Sequence, residues 1–134
     1  MDWKLEVIVV PVSDVDRAKH FYSEQVGFIV DVDSVRGPMR VVQMTPRGSA
    51  CSVTIGVGLS ESVPGSFKGL QLVVSDIEAA RAELVGRGVA ASPVRNVDER
   101  GVWADGKGGP WNSFVFFEDP DGNSWVVQEK PADA

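Results

Sequence analysis

The sequence predicts an α+β fold built from two βαβββ modules in tandem. The first observation behind this is a repeat. Val9-Val10-Pro11-Val12-Ser13-Asp14-Val15-Asp16-Arg17-Ala18 recurs as Gln71-Leu72-Val73-Val74-Ser75-Asp76-Ile77-Glu78-Ala79-Ala80, an offset of 62 residues. The second is that each copy begins as an apolar, β-branched run and continues, after Ser-Asp, with helical spacing. A strand, a helix cap and a helix follow from that order. The third is that short alternating runs bounded by turn residues follow each helix. Module one spans about residues 4–58, a linker 59–68, and module two about 69–129.

Each element has a local reason. Residues 4–12 form a strand with Val7 and Val9 on one face and Ile8, Val10 and Val12 on the other. Pro11 lacks an N–H and is tolerated near a strand end. Ser13 or Asp14 caps a helix running to about Val26, whose apolar stripe is Val15, Ala18, Phe21, Tyr22 and Val26. Gly27 suits the left-handed stop. Strands are expected at 28–35, 39–45 and 51–57, the last half-buried because Cys51, Val53, Ile55 and Val57 alternate with Ser52, Thr54 and Gly56.

In module two, 69–75 is a strand and 76–87 a helix. Ile77, Ala80 and Leu84 point inward, Val85 is a further candidate, and Gly88 is the stop. A strand over 89–97 contains Pro93. Residues 98–110 are rich in glycine and charge and read as a long hairpin loop or a mobile flap. Residues 112–117 and 124–128 are strands around the turn Asp119-Pro120-Asp121-Gly122-Asn123, where Pro presets φ and Gly or Asn accepts φ > 0.

Composition narrows the function. A chain of 134 residues can bury a real core in one domain. No apolar run approaches the roughly 20 residues of a membrane span, and no signal peptide is visible, so a cytoplasmic protein is expected. One cysteine excludes an intrachain disulfide. A net charge of −6 with no basic cluster argues against nucleic acid.

Three segments together resemble the vicinal oxygen chelate superfamily, which holds glyoxalase I, extradiol dioxygenases and the fosfomycin- and bleomycin-resistance proteins. They are Val10-Pro11-Val12-Ser13-Asp14-Val15-Asp16-Arg17-Ala18 with Phe21-Tyr22 and Gly27-Phe28; Val74-Ser75-Asp76-Ile77-Glu78-Ala79-Ala80 with Gly88-Val89; and Phe117-Glu118-Asp119-Pro120-Asp121-Gly122-Asn123. With the duplication they cover nearly the whole chain. The resemblance implies curved mixed sheets forming a cup, and a homodimer with sites at or near its interface. It also implies a divalent metal held by His, Glu or Gln from the first and last strands of both modules. Carried over residue by residue, those positions fall on Val7, Gly69, Val126 and either Ser52 or Thr54. Valine and glycine offer no donor, and a lone hydroxyl is a poor ligand. A register shift of one brings in Gln71 or Gln128, whose amides alone do not hold a transition metal. No metal and no other cofactor is therefore expected.

Individual residues favour binding over catalysis. His20, the only histidine, lies on the first helix away from any cup strand and reads as a solvated side chain. Cys51 has no nameable base and reads as a buried thiol. Asp119 and Asp121 suit turn hydrogen bonds better than paired acid chemistry. The glycines at 106, 108 and 109 have no strand leading in and no helix leading out, so they are not a phosphate loop. Trp125 shares parity with Val127 and packs toward a helix. Trp103 and Trp111 bracket the glycine-rich loop and can stack on a flat or cationic ligand. Thr54, Gln71 and Gln128, with Gln43, supply the few polar groups of an otherwise apolar cup.

The expected function is a metal-free small-molecule binding protein, similar to the bleomycin-resistance type, with antibiotic sequestration as one form. Its ligand-binding residues are Thr54, Gln71, Trp103, Trp111 and Gln128. The alternatives are a metal-dependent lyase, isomerase or dioxygenase with a displaced metal site, and an interaction module whose cup is filled by its own side chains.

Overall fold

A computed structural model describes residues 1–134, which group into two compact units. The first holds Met1–Phe67 together with Asp119–Asn123; the second holds Lys68–Glu118 and Ser124–Ala134. The strands form two sheets, of four and five strands. No helix is long and apolar enough to cross a membrane.

The first unit contains β1 (Val7–Val9), α1 (Val15–His20), a π-helical segment (Phe21–Val26), β2 (Ile29–Arg36), β3 (Met39–Thr45) and β4 (Ser52–Val57). The sheet order is β1-β4-β3-β2, with β1 parallel to β4 and the other pairs antiparallel. Val10, Val15, Ala18, Phe21, Tyr22, Val42, Met44, Val53 and Ile55 are buried and make its core. Asp14, not Ser13, caps α1 by accepting the Arg17 N–H at 3.0 Å. Ser13 instead donates its N–H and its hydroxyl to the Asp121 carboxylate.

The helix expected to run unbroken to Val26 widens after His20. The N–H groups of Gly27 and Phe28 both donate to the Tyr22 carbonyl, at 3.0 and 2.8 Å. The first of these spans five residues, the π spacing. The Ser23 hydroxyl bonds back to the Lys19 carbonyl at 2.6 Å, a contact that opens a helical turn. Gly27 closes the segment at φ 96°, a left-handed value that costs a side-chain-bearing residue about 1 kcal/mol or more.

The second unit contains β5 (Leu70–Val74), α2 (Ile77–Gly86), β6 (Arg95–Val97), β7 (Trp103–Asp105), β8 (Phe114–Glu118) and β9 (Ser124–Glu129). Its order is β5-β9-β8-β6-β7, again with the first and last strands of the module parallel. Asp76 caps α2 as Asp14 caps α1, taking the Ala79 N–H at 3.0 Å. Ile77, Leu84, Val89, Val115, Phe117, Trp125 and Val127 are buried, and the Phe117 and Trp125 rings stack at 6.1 Å.

Several expectations are corrected. The first strand covers only three residues, Val7–Val9. Residues 89–94 are not a strand, because Pro93 has no N–H and the Ser92 side chain replaces a ladder partner. The Ser92 N–H donates to the Phe116 carbonyl, and its hydroxyl accepts the Phe116 N–H, both at 2.9 Å. β7 is an additional strand inside the glycine-rich stretch, so the second module is not a plain βαβββ. β4 is buried on both faces from Ser52 to Ile55 rather than half-buried. Val85 is exposed, and Cys51 is half-buried rather than buried.

The turn Asp119–Asn123 closes a polar cluster in the first unit. The Asp119 carboxylate accepts from the Tyr22 hydroxyl (2.7 Å), the Asp121 and Asn123 N–H groups (2.9 Å each) and the Asn123 amide (2.8 Å). Asn123 also donates to the Pro11 carbonyl (2.8 Å) and accepts from the Phe67 N–H (3.1 Å). Asp119 and Asn123 are buried, so every lost partner leaves an unmet group. Tyr22→Phe is expected to lower unfolding stability by about 1–2 kcal/mol and Asp119→Ala by about 3 kcal/mol or more, measured by urea denaturation.

Candidate ligand-binding face

Register decides which side chains share a face of the second sheet. α2 lies against β8 and β9. The buried Val115, Phe117, Trp125 and Val127 occupy the covered face. The alternate residues fall on the other one. Phe116 opposes Val126, which opposes Gln71; Phe114 opposes Gln128, which opposes Val73; Glu118 opposes Ser124. Cross-strand partners point the same way, so these residues line one surface. Trp103 joins them from β7, edge-to-face on Phe114 (5.5 Å) and Phe116 (5.3 Å), each at 81°. Trp103 remains 47% exposed. A half-covered indole with its partners already in place gives a ligand ring a prebuilt stacking surface.

The glycine-rich stretch is not a free flap. Its first half is the β6–β7 hairpin, and its second half is tied back by Asn112. That side chain accepts the Val97 N–H and donates to the Val97 carbonyl, both at 2.8 Å. The Gly108 N–H donates to the Asn112 carbonyl and to the Ser113 hydroxyl, both at 3.1 Å. A Cβ on Gly108 would fall 2.4 Å from the Asn112 carbonyl oxygen, so the chain needs glycine there. Trp111 sits in this closed turn at φ 62°, the one side-chain-bearing residue with positive φ. Such a backbone costs on the order of 1–2 kcal/mol and is held by its surroundings. Its carbonyl accepts from the Gln128 amide at 2.8 Å, and Gln128 in turn accepts from Gln71 at 2.5 Å. The ring is 45% exposed.

Four of the sequence-predicted residues, Gln71, Trp103, Trp111 and Gln128, therefore lie in the second unit, and three of them form one hydrogen-bonded chain. Thr54 belongs to the first unit. It is buried on β4 between Val9 and Gln43, so it is corrected from a polar group of an open cup to an interior one. Sequence reasoning missed Phe114, Phe116 and Glu118. In the run Phe114-Val115-Phe116-Phe117 every residue is apolar, so alternation does not tell the covered face from the open one. A cleft of about 520 Å³ continues the same surface, lined by Ala90, Ala91, Ser92, Phe116, Glu118, Ser124 and Val126 among others.

The positions that the superfamily uses for metal do not fit one here. Val7 pairs with Ser52 at the sheet edge, Val126 lies between Gln71 and Phe116, and Gly69 only donates its N–H to the Ser124 hydroxyl. Ser52 is engaged with the Thr45 hydroxyl at 2.7 Å. No group of three or more His, Cys, Asp or Glu side chains comes together in a form that could hold an ion. His20 is exposed on α1.

Behind the face, Glu129 secures the start of α2. It accepts the Ile77 N–H at 2.9 Å and pairs with Lys107 at 3.1 Å. The Ile77 N–H and then the Lys107 ammonium hold its carboxyl below its ordinary value of 4.5, against the opposing effect of burial.

The sequence matches the Glyoxalase/Bleomycin resistance protein/Dioxygenase superfamily over residues 4–127, and the chain belongs to that superfamily. Among solved structures it is similar to TnmS3, an antibiotic binding protein from Streptomyces sp. CB03234. The two share 33% identity over 96% of this chain and 97% of that one, with a TM-score of 0.78. A glyoxalase/bleomycin resistance protein from the same strain is 34% identical over 93% of this chain and 99% of that one, with a TM-score of 0.74. A superfamily member from Sphaerobacter thermophilus DSM 20745 is 27% identical over 96% and 98%, with a TM-score of 0.75. No curated protein matches the chain.

A group whose native pKa is lowered adds stability above its unfolded value, and that stability disappears as pH falls through the native value. Glu129→Gln is thus expected to cost about 1 kcal/mol at neutral pH. The gap to the parent should close as pH drops below about 4.5, the ordinary value. Thermal melts of both proteins across that range measure it.

Proposed function

We propose that this protein binds and sequesters a planar aromatic small molecule, an antibiotic in the simplest case, without a metal ion. The observation that carries the reading is the open face of the second sheet, where Trp103, Phe114 and Phe116 pack as a preformed aromatic surface beside Trp111 and the Gln71–Gln128 pair. Aromatic rings supply burial and stacking without a strong directional demand. The glutamine chain leaves the Gln71 carbonyl oxygen without a protein partner, so it can accept a hydrogen bond from the ligand. No side chain in this set is a nucleophile or a general base. Similarity to an antibiotic binding protein supports the same class of function. A homodimer and a cytoplasmic location belong to the proposal as well.

Tryptophan fluorescence titration with a panel of flat antibiotics tests it. Trp103→Ala should weaken binding at least about tenfold, about 1.4 kcal/mol. Trp111→Gly should also weaken binding, yet leave the melting temperature unchanged or slightly raised because glycine relieves the left-handed backbone. Near-stoichiometric metal in the purified protein, with a melting shift reversed by chelator, would overturn the metal-free reading.

A further inference from the structure

Resting on the binding reading above, we infer that the ligand carries a basic group, an amine held positive at neutral pH, which sits in the cleft beside Glu118. The cleft and the aromatic surface are continuous, since Phe116 and Val126 belong to both. Its volume of about 520 Å³ suits a substituent of drug-like size. Most of its walls are apolar: Ala90, Ala91, Phe116 and Val126. Both of its hydroxyls are engaged as acceptors: Ser92 takes the Phe116 N–H, and Ser124 takes the Gly69 N–H.

Glu118 differs from both. It is the only ionisable side chain lining the cleft, it is exposed, and it takes part in none of the salt bridges of the chain. On this wall the Arg81 guanidinium is turned to the Ser92 carbonyl at 2.8 Å. An unpaired carboxylate at the end of an apolar cleft selects a cation over a neutral or anionic group, and the net charge of −6 acts in the same direction. Spacing adds a constraint. Glu118 stands two residues beyond Phe116 on β8, about 7 Å along the strand. The basic group therefore lies about that far from the ring stacked at Phe116.

Daunorubicin and N-acetyldaunorubicin test this as a pair. They share one planar ring system and one sugar, and acetylation removes the charge. The parent protein should bind daunorubicin about fivefold more tightly than the acetylated compound at low salt, with the difference shrinking as salt rises. Glu118→Gln should abolish the difference between the two compounds. Equal binding of both compounds by the parent protein, or discrimination that survives in Glu118→Gln, would overturn the role of Glu118 and leave the aromatic site standing. Failure of both compounds to bind the parent protein would overturn the aromatic site and this inference with it. Trp103→Ala separates the two claims, because it should weaken both compounds equally.

Discussion

Parallel pairing of the first and last strand of each module is the constraint on which the rest of the structure depends. Two parallel neighbours cannot be joined by a tight turn, so the chain must cross over, and a helix is the usual means. Here β1 pairs with β4 and β5 with β9, and α1 and α2 follow β1 and β5 directly. In the second module the helix lies against β8 and β9, whose Val115 and Val127 are buried. The opposite face gains no helix. Its residues are free to be chosen for something other than packing, and Trp103, Phe114 and Phe116 have been placed there.

The same economy governs the polar groups. Asp119 and Asn123 are buried; they gather donors from Tyr22, the turn itself and Phe67, and Asn123 in turn donates to the Pro11 carbonyl. This cluster uses carboxylate chemistry for structure. Its members are committed to these bonds, which separates them from Glu118, a carboxylate one position earlier in the chain that takes part in none of the salt bridges. Neighbours in sequence take opposite roles because Glu118 is the last residue of β8, whereas Asp119 opens the turn that folds back on its carboxylate.

The superfamily's metal-ligand positions fall here on Val7, Gly69 and Val126, whose side chains offer hydrocarbon or nothing. On the proposed reading affinity comes from apolar burial and stacking. Such a surface works best when it is formed before the ligand arrives, since ordering costs are not charged against binding. The Asn112 clamp, the glycine at 108 and the strained backbone of Trp111 all act in that direction.

By itself the sequence determined the repeat, a Ser-Asp pair at each helix start, the glycine stops and most of the strands. These are local signals: Asp14 and Asp76 cap because a carboxylate next to a helix start accepts an N–H wherever the chain goes. It also singled out Gln71, Trp103, Trp111 and Gln128. Only the tertiary structure decided that Gln128 bridges Gln71 to the Trp111 carbonyl, that Thr54 is interior, and that residues 89–94 leave the sheet. It also decided which phenylalanines of 114–117 face outward. The physical reason is common to all of these. Register between strands distant in sequence sets what lies opposite what, and a run that is apolar at every position carries no mark of the face it will show.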